Sequence, residues 1–391
     1  MCIEGDLSAG RSVNTTGLHV MDYTPSDGND GCLAAGAARC EEPTHAGSTR
    51  GVKRRMRYRF LGRSGLRVSE LSLGTGNFGM GWGHGAHAPE ARAMYDTYRE
   101  AGGNFIDTAS NYQSGEAEEY LSDIISSDRE DIVLATKYTM GSSAGSGLQL
   151  TGNSRKAMVQ SLEQSLRRLG TDRVDVLWAH VADESTSVEE ILRAFDDLTR
   201  AGKILYAGLS SFPAWRVATG VTLAQQQGWA PLVAIQAEYS LVERSADREL
   251  VPMAEAFGLG VLGFSPLGGG LLTGKYRRGA TGRAQSSISQ FLHKEDAPAK
   301  TTILDAVESV ARELDTTPER VAIKWSMSKG VIPIVGPRSV DQLTSNLAAS
   351  ELDISTRQLE WLDKVSAPKL GYPHEMWSER ERVEKNRFAQ P

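Results

Sequence analysis

The strongest constraint on the fold is a regular alternation of short apolar runs and amphipathic segments that begins after Met56. Eight apolar runs lie at residues 71–75, 103–106, 131–136, 174–179, 204–209, 232–236, 259–264 and 331–335. Helical periodicity lies between and after them, at 88–101, 115–126, 154–169, 188–201, 213–227, 247–257, 318–328 and 340–350. This alternation predicts a parallel sheet covered by helices, and eight such units favour a closed (β/α)8 TIM barrel over an open sheet.

Local signals support this assignment and add two elements. Residues 58–61 and 66–69 flank the turn sequence GRSG, which predicts an N-terminal β-hairpin. Ser154 has the residue type and position of a helix N-cap, and Gly170 stands where the same helix should end. A further helix is expected at 301–315, before the last crossover helix.

Three segments are longer than ordinary connections, at 76–87, 265–300 and 367–391. The first follows strand one and the second follows strand seven. Loops that follow the strands of a parallel barrel lie on the face where active sites form, so both should overhang that face. The aromatic side chains that could line a pocket there, or equally pack in the core, are Phe78, Trp82, Trp178 and Trp377.

Residues 1–55 differ in composition from the rest of the chain. They are rich in Gly, Ser, Thr and Ala without lasting periodicity, which predicts a disordered extension, and residues 56–391 then form a single domain. A regulatory arm, or upstream sequence before a start at Met56, is an alternative. All three cysteines, Cys2, Cys32 and Cys40, fall in this extension. Their spacing matches no common zinc pattern, so no metal site is expected.

Charge and hydropathy exclude several classes of partner. The net charge is −6 and the pI is about 5.8, without a basic stripe, so neither nucleic acid nor an anionic membrane is an expected partner. No run of 18 apolar residues suggests a transmembrane helix. The cysteine-free domain suits the reducing cytoplasm, where we expect the protein. Its expected partner is a small molecule, and its oligomeric state stays open.

Four polar residues stand at or shortly after the ends of three predicted strands. Asp107 follows the strand at 103–106, Tyr112 comes five residues later, and Lys137 and His180 follow the next two strands. Strand ends of a parallel barrel share one face, so a carboxylate, a phenol, an amine and an imidazole converge there, as proton transfer requires. Taken singly, each has an ordinary structural explanation as a rim aromatic, a turn residue, a solvated charge or barrel filling.

The sequence around these residues resembles the aldo-keto reductases. The matching segments are FIDTASNY at 105–112 with Gly115 and Glu116, LATK at 134–137, SLRRLG at 165–170 with Asp175 and His180, GLS at 208–210, QAEYSL at 236–241, 265–275 and 336–346. The likeness extends from about Met56 to Pro373. The segments QAEYSL and GGLLTGK are most similar to the branch that contains aryl-alcohol dehydrogenases and potassium-channel β subunits.

The resemblance implies carbonyl reduction by hydride transfer. Tyr112 would be the proton donor to the developing alkoxide, and the Lys137 ammonium beside it would stabilise the phenolate. Asp107 would hold Lys137 charged and oriented, while His180 would donate to the carbonyl oxygen. A positioned proton donor typically contributes about 10²–10⁴-fold to the rate.

The resemblance also implies the binding of NADPH. A Rossmann site is not supported, because no Gly-x-Gly-x-x-Gly leads directly from a strand into the helix of a βαβ unit with a later acid. The cofactor-binding residues it implies are Thr75, Ser210, Gln236, Tyr239, Ser265, Leu267, Gly268, Gly270, Lys275, Gly336, Arg338, Gln342 and Asn346. Arg338 would bind the 2′-phosphate, because a guanidinium suits a phosphate, and Tyr239 would stack on the nicotinamide. Each of these residues also has an explanation without a cofactor. Arg338 could be solvated and Tyr239 could pack in the core. The glycines at 268–270 could only form a turn, and Gln342 and Asn346 could be exposed on a helix.

Three functions follow, and sequence favours the first. An NADPH-dependent reductase of aldehydes or ketones explains the complete set of four polar residues. A cofactor-binding regulatory subunit of the β-subunit kind need not retain a proton donor. A sugar-nucleotide reductase in a biosynthetic pathway would need a nucleotide-diphosphate site. Nothing in the sequence identifies such a site, and cofactor binding explains the basic residues Lys275, Arg277, Arg278 and Arg283 more simply.

Overall fold

The computed structural model of the protein describes residues 56–143, 145–280 and 294–377, within one compact unit, Lys53–Pro391. The predicted extension at 1–55, with its three cysteines, lies outside the described residues. Residues 281–293 of the predicted loop 265–300, which include Arg283, and residues 378–391 of the tail also lie outside them. Within the described residues, no helix has the length and apolar character needed to cross a membrane.

The described chain forms a closed barrel of eight parallel strands, as predicted. Each strand pairs with the next along the chain, and the last pairs with the first. The barrel strands are β3 Ser72–Gly74, β4 Phe105–Asp107, β5 Val133–Tyr138, β6 Val174–Ala179, β7 Ile204–Ser210, β8 Leu232–Glu238, β9 Gly260–Phe264 and β10 Ile332–Val335. Strand β5 continues to Tyr138, whereas the predicted strand ended at residue 136. Lys137 is therefore the penultimate residue of the strand and does not follow it.

The predicted hairpin is present and closes the amino-terminal end of the barrel. Strands β1 (Tyr58–Phe60) and β2 (Arg67–Ser69) pair antiparallel. Leu61, at the start of the turn, is fully buried in the apolar cluster of the barrel interior. Gly62 follows with a φ of 60°, where a Cβ would lie 2.4 Å from the Val233 carbonyl oxygen, so this turn requires glycine.

Ten helices surround the barrel in the described residues. They are α1 Ala88–Glu100, α2 Glu116–Ile125, α3 Arg155–Leu169, α4 Val188–Arg200, α5 Ala214–Gln227, α6 Leu250–Phe257, α7 Pro298–Glu313, α8 Pro318–Ser328, α9 Val340–Leu347 and α10 Thr356–Val365. The Ser154 side chain accepts a hydrogen bond from the Ala157 amide, and Gly170 is left-handed, as their predicted capping roles require. Helix α9 ends earlier than predicted, and α10 was not predicted.

A large side chain and a glycine lie side by side in the barrel interior. Trp178 of β6 is fully buried, and Gly208 is its register partner on β7. A Cβ on Gly208 would lie 2.2 Å from the indole ring, so only glycine leaves room for this side chain.

We therefore expect Gly208→Ala to lower the free energy of unfolding by about 1–3 kcal/mol, the usual cost of overpacking a core. Urea denaturation measures this directly. Gly65→Ala is the matched control, since a Cβ at Gly65 meets no atom within 4 Å. Equal stability of both variants would show that Trp178 can shift at no cost.

Candidate active site

The barrel brings the four predicted catalytic residues together at its carboxyl-terminal face. Asp107 is the last residue of β4, Lys137 lies next to the end of β5, and His180 directly follows β6. Tyr112 begins the short 3-10 segment Tyr112–Gly115 that leads into α2. Since these strands are neighbours in the barrel, the side chains meet although they span many positions in sequence.

Lys137 is the centre of this arrangement. Its Nζ donates to Asp107 Oδ2 at 2.5 Å, to the Thr108 carbonyl oxygen at 2.8 Å and to Tyr112 Oη at 2.9 Å. Three acceptors match the three hydrogens of an ammonium group. Lys137 is 0% exposed and Asp107 is 1% exposed, so the ion pair is fully withdrawn from water.

The surroundings keep Lys137 protonated. Burial alone would lower the pKa of this amine, but the neighbouring Asp107 carboxylate and Tyr112 phenol outweigh it, and the pKa of Lys137 is raised. The lysine therefore places a permanent positive charge beside the Tyr112 oxygen. That charge stabilises a phenolate, as proton donation by Tyr112 requires.

Two polar residues donate further hydrogen bonds to Asp107. Gln236 on β8 donates its Nε2 to Asp107 Oδ1 at 3.0 Å. Thr75 donates its backbone N–H and its hydroxyl to the Asp107 carbonyl oxygen at 3.0 and 3.3 Å. Both residues are buried. The Gln236 bond fixes the Asp107 carboxylate beside Lys137, and the Thr75 bonds fix the Asp107 backbone. The expected contacts of both residues with a cofactor stay predictions.

His180 stands beside Tyr112 as a neutral imidazole. The two rings lie 6.0 Å apart in an edge-to-face arrangement. Burial, together with the Lys137 charge, lowers the pKa of His180 to about 3. Its Nδ1 is buried and meets no hydrogen-bond partner in the described part of the chain. A neutral ring can donate one hydrogen bond to a substrate oxygen without competing for the Tyr112 proton.

The lowered pKa predicts how stability depends on pH. Below about 6.5 the unfolded chain protonates this histidine, whereas the folded chain does so only near pH 3. The unfolded state therefore binds more protons in that window, and the free energy of unfolding falls as the pH falls through it. We expect a loss of up to about 1.4 kcal/mol per pH unit, which His180→Asn removes. Urea denaturation of both proteins at pH 7.5 and pH 5 measures it, and parallel losses would contradict it.

A second buried ion pair supports β5 behind Lys137. Glu118 of α2 is fully buried, and it pairs with Arg168 of α3 at 2.7 Å. Its other oxygen accepts a hydrogen bond from Thr136, the residue before Lys137, at 2.5 Å. This pair ties two helices to the strand that carries the lysine.

The predicted pyrophosphate segment forms a tight glycine turn after β9. Ser265 has a φ of 53°, and Gly268, Gly269 and Gly270 have φ values of 54°, 65° and 95°. A Cβ on Gly270 would lie 2.9 Å from Lys275 Nζ, so the glycine lets the ammonium group lie against the backbone. The Leu267 carbonyl oxygen accepts hydrogen bonds from the Gly270 and Leu272 amides, which closes the turn.

The predicted residues after β10 form the start of α9. Ser339 caps this helix, and the Gln342 side chain accepts a hydrogen bond from the Arg338 amide at 3.0 Å. Arg338 is half-buried and Asn346 is buried. The Gly336 carbonyl oxygen accepts a hydrogen bond from Asn77 Nδ2 at 2.7 Å, which joins this segment to the loop after β3.

The structure corrects the role expected for Tyr239. Its ring is 1% exposed and stacks on Trp325 of α8 at 5.4 Å, with the planes 12° apart. Tyr239 therefore lies between the barrel and its outer helices and cannot stack on a nicotinamide at the mouth. Phe264, which the sequence reasoning missed, ends β9 half-buried against the interior cluster and is the better placed aromatic.

Residues that fit a nicotinamide dinucleotide are present around this mouth. Ser210 Oγ is buried at the end of β7 and finds no partner within the described ranges, so it is available to an amide group of a ligand. The glycine turn after β9 holds the Lys275 ammonium group against its backbone, and Arg338 precedes the capped start of α9. Cations beside a turn or a helix start suit phosphate groups.

Comparison with known proteins agrees with this geometry. The sequence profile of the aldo/keto reductase family matches residues 70–367. An aryl-alcohol dehydrogenase of Pestalotiopsis microspora is 33% identical over 329 residues, covering 81% of this chain and 84% of that protein. A norsolorinic acid reductase of Aspergillus flavus is 33% identical over 328 residues, covering 81% and 82%. An NADP(+) aryl-alcohol dehydrogenase of Phanerodontia chrysosporium is 32% identical over 329 residues, covering 79% and 86%.

The chain therefore belongs to the aldo/keto reductase family. It is an NAD(P)H-dependent oxidoreductase that acts on carbonyl and alcohol groups. The resemblance drawn from the sequence motifs, including that to the aryl-alcohol dehydrogenase branch, is confirmed.

Proposed function

We propose that this protein reduces an aldehyde or ketone with NADPH and that Tyr112 donates the proton. The observation that carries the proposal is the fully buried Lys137 ammonium, which lies between the Asp107 carboxylate and the Tyr112 hydroxyl at 2.9 Å. A protein that only binds a cofactor has no need to bury a charge beside a phenol.

The side chains of the site divide the chemistry between them. A bound reduced nicotinamide supplies the hydride. His180, neutral through burial, donates a hydrogen bond to the carbonyl oxygen and fixes its direction. Tyr112 gives its hydroxyl proton to that oxygen as negative charge develops there, and Lys137 stabilises the phenolate that remains. Asp107 keeps the ammonium group in place, with Gln236 holding the carboxylate.

We propose NADPH and not NADH as the cofactor, because the Arg338 cation after β10 can bind the 2′-phosphate that only NADPH carries. Arg338 stands at the start of α9, where helix amides and a guanidinium can share a 2′-phosphate. A relative that carries NADP(+) in its name agrees with this choice. The proposed contacts of Ser265, Leu267, Gly268, Gly270 and Lys275 are with the pyrophosphate. Those of Gly336, Gln342 and Asn346 are with the adenosine end.

Arg338→Ala is expected to weaken NADPH binding about tenfold and to leave NADH binding within about twofold, because one charge-assisted contact to a phosphate is lost. Fluorescence titration of both variants with both cofactors measures this. Arg357→Ala, on α10, is the control for loss of a surface arginine. An equal loss for the two cofactors would remove Arg338 from 2′-phosphate recognition.

The activity itself is tested by following NADPH oxidation with a panel of aromatic and aliphatic aldehydes. Turnover supports the reductase. Tight NADPH binding without turnover of any aldehyde would favour the regulatory alternative.

The described part of the basic cluster adds no support to the sugar-nucleotide alternative. Arg277 pairs with Glu295, Asp305 and Glu308, so acidic side chains already neutralise its charge. Arg278 donates to the Thr273 carbonyl oxygen. Among the members of this cluster that the structure describes, nothing favours a nucleotide diphosphate over the proposed cofactor. A cytoplasmic location stays a prediction from the cysteine distribution.

A further inference from the structure

The loop between β3 and α1, residues 76–87, places an aromatic side chain beside Tyr112. The Trp82 ring lies 6.1 Å from the Tyr112 ring in an edge-to-face arrangement, and it is 37% exposed. The His84 ring, on the same loop, lies 6.3 Å from the Trp82 ring. Trp82 therefore offers a flat apolar surface next to the proposed proton donor.

A buried glutamine fastens this loop to the segment that carries Tyr112. Gln113, the residue after Tyr112, is 0% exposed. Its Oε1 accepts a hydrogen bond from the Trp82 amide at 2.9 Å, and its Nε2 donates to the Gly76 carbonyl oxygen at 2.9 Å. One side chain thus fixes two points of the loop, and one of them is the backbone of Trp82.

Close packing and a second side chain strengthen the attachment. Glu116 Oε2 accepts a hydrogen bond from the Met80 amide at 2.6 Å. A Cβ on Gly81 would lie 2.2 Å from the Gln113 carbonyl oxygen, so the two backbones are in contact. The loop is therefore held against the Tyr112 segment rather than suspended over it.

The backbone after Tyr112 is unusual in the same place. Gln113 and Ser114 have φ values of 49° and 59°, in the left-handed region that non-glycine residues seldom adopt. Such a conformation persists only where the surroundings enforce it, and it often marks a functional site. Here it directs the Gln113 side chain under the loop, where its amide makes both hydrogen bonds.

We propose that Trp82 is a specificity-determining residue that contacts the substrate beside Tyr112, and that Gln113 is the positioning residue that fixes it. The proposal rests on the proposed function, since it places the reacting carbonyl at Tyr112. An exposed indole at this distance packs against a flat ring attached to that carbonyl and gains little from a short alkyl chain. Selection then comes from a preformed wall, not from closure of a mobile loop.

The test measures kcat and KM for benzaldehyde and propanal in the wild type, Trp82→Ala, Trp82→Phe and Gln113→Met. We expect Trp82→Ala to raise the KM for benzaldehyde about tenfold to hundredfold and that for propanal less than about threefold, with kcat for both largely kept. Trp82→Phe should recover most of the loss. Gln113→Met should lose the same selectivity although Trp82 is intact.

Two further variants keep the result interpretable. Trp361→Ala is the matched control, because this tryptophan is 39% exposed on α10 and takes no part in the site. Gly81→Ala displaces the loop from Gln113 by steric contact and replaces Gln113→Met if that variant does not fold. An unchanged benzaldehyde-to-propanal ratio in Trp82→Ala would overturn this inference alone. A wild type that binds NADPH and reduces no aldehyde or ketone in a wider panel would overturn the proposed function, and this inference with it.

Discussion

Tyr112→Phe is expected to lower kcat by about 10²–10⁴-fold, the contribution of a positioned proton donor. The phenylalanine ring keeps the contacts with Trp82 and His180, so only the hydroxyl and its hydrogen bond from Lys137 are lost. The dissociation constant of NADPH should stay within about twofold, because the hydroxyl serves the chemical step and not cofactor binding. Steady-state kinetics and fluorescence titration measure the two quantities.

Tyr58→Phe is the control for this variant. The Tyr58 hydroxyl also donates a hydrogen bond, to the Gly102 carbonyl oxygen at 2.5 Å, but it lies at the closed end of the barrel. Wild-type kinetics in Tyr58→Phe and a collapse in Tyr112→Phe would assign the effect to position. A Tyr112→Phe enzyme with full activity would show that another group supplies the proton.

Lys137→Met is expected to damage both stability and activity. It leaves the buried Asp107 carboxylate without its cation, and breaking a buried ion pair on one side typically costs about 3–5 kcal/mol. It also removes the positive charge beside Tyr112, so turnover should fall at least as far as in Tyr112→Phe. Urea denaturation and NADPH oxidation provide the two readouts.

The double variant Asp107→Asn with Lys137→Met separates the two effects. Without either charge, Gln236 can still donate to the amide oxygen at position 107, so part of the lost stability should return. Activity should not return, since neither the ammonium nor its carboxylate is present. Equal stability of the single and double variants would show that an unpaired Asp107 charge is not the cause of the loss.

The sequence predicted the barrel and the four polar residues because both depend on strand ends. Asp107, Lys137 and His180 stand at or beside the ends of adjacent strands, and the closure of a parallel barrel brings such positions together. The same logic places Tyr239 away from the mouth of the barrel, contrary to the predicted stacking on the nicotinamide. Side chains alternate along a strand, so if Gln236 faces inward, Tyr239 faces the helices.

Helix α10 could also have been predicted from its sequence. Ser355 and Gln358 form a capping box at its start, and this spacing is visible in the sequence. Two features near Tyr112 could not have been predicted from the sequence. The contact between Trp82 and Tyr112 depends on a loop whose path is set by Gln113, and the left-handed backbone at Gln113 follows from tertiary hydrogen bonds that local sequence does not determine.

We propose above all that neutral Tyr112, which accepts a hydrogen bond from Lys137, delivers its hydroxyl proton during hydride transfer. A single-turnover experiment tests it most directly, because it isolates the chemical step from product release. The enzyme is loaded with NADPH, mixed rapidly with excess benzaldehyde, and the loss of nicotinamide absorbance is followed. We expect a fast decay in the wild type and a decay at least about 10²-fold slower in equally loaded Tyr112→Phe. Equal decay rates in the two proteins would contradict it.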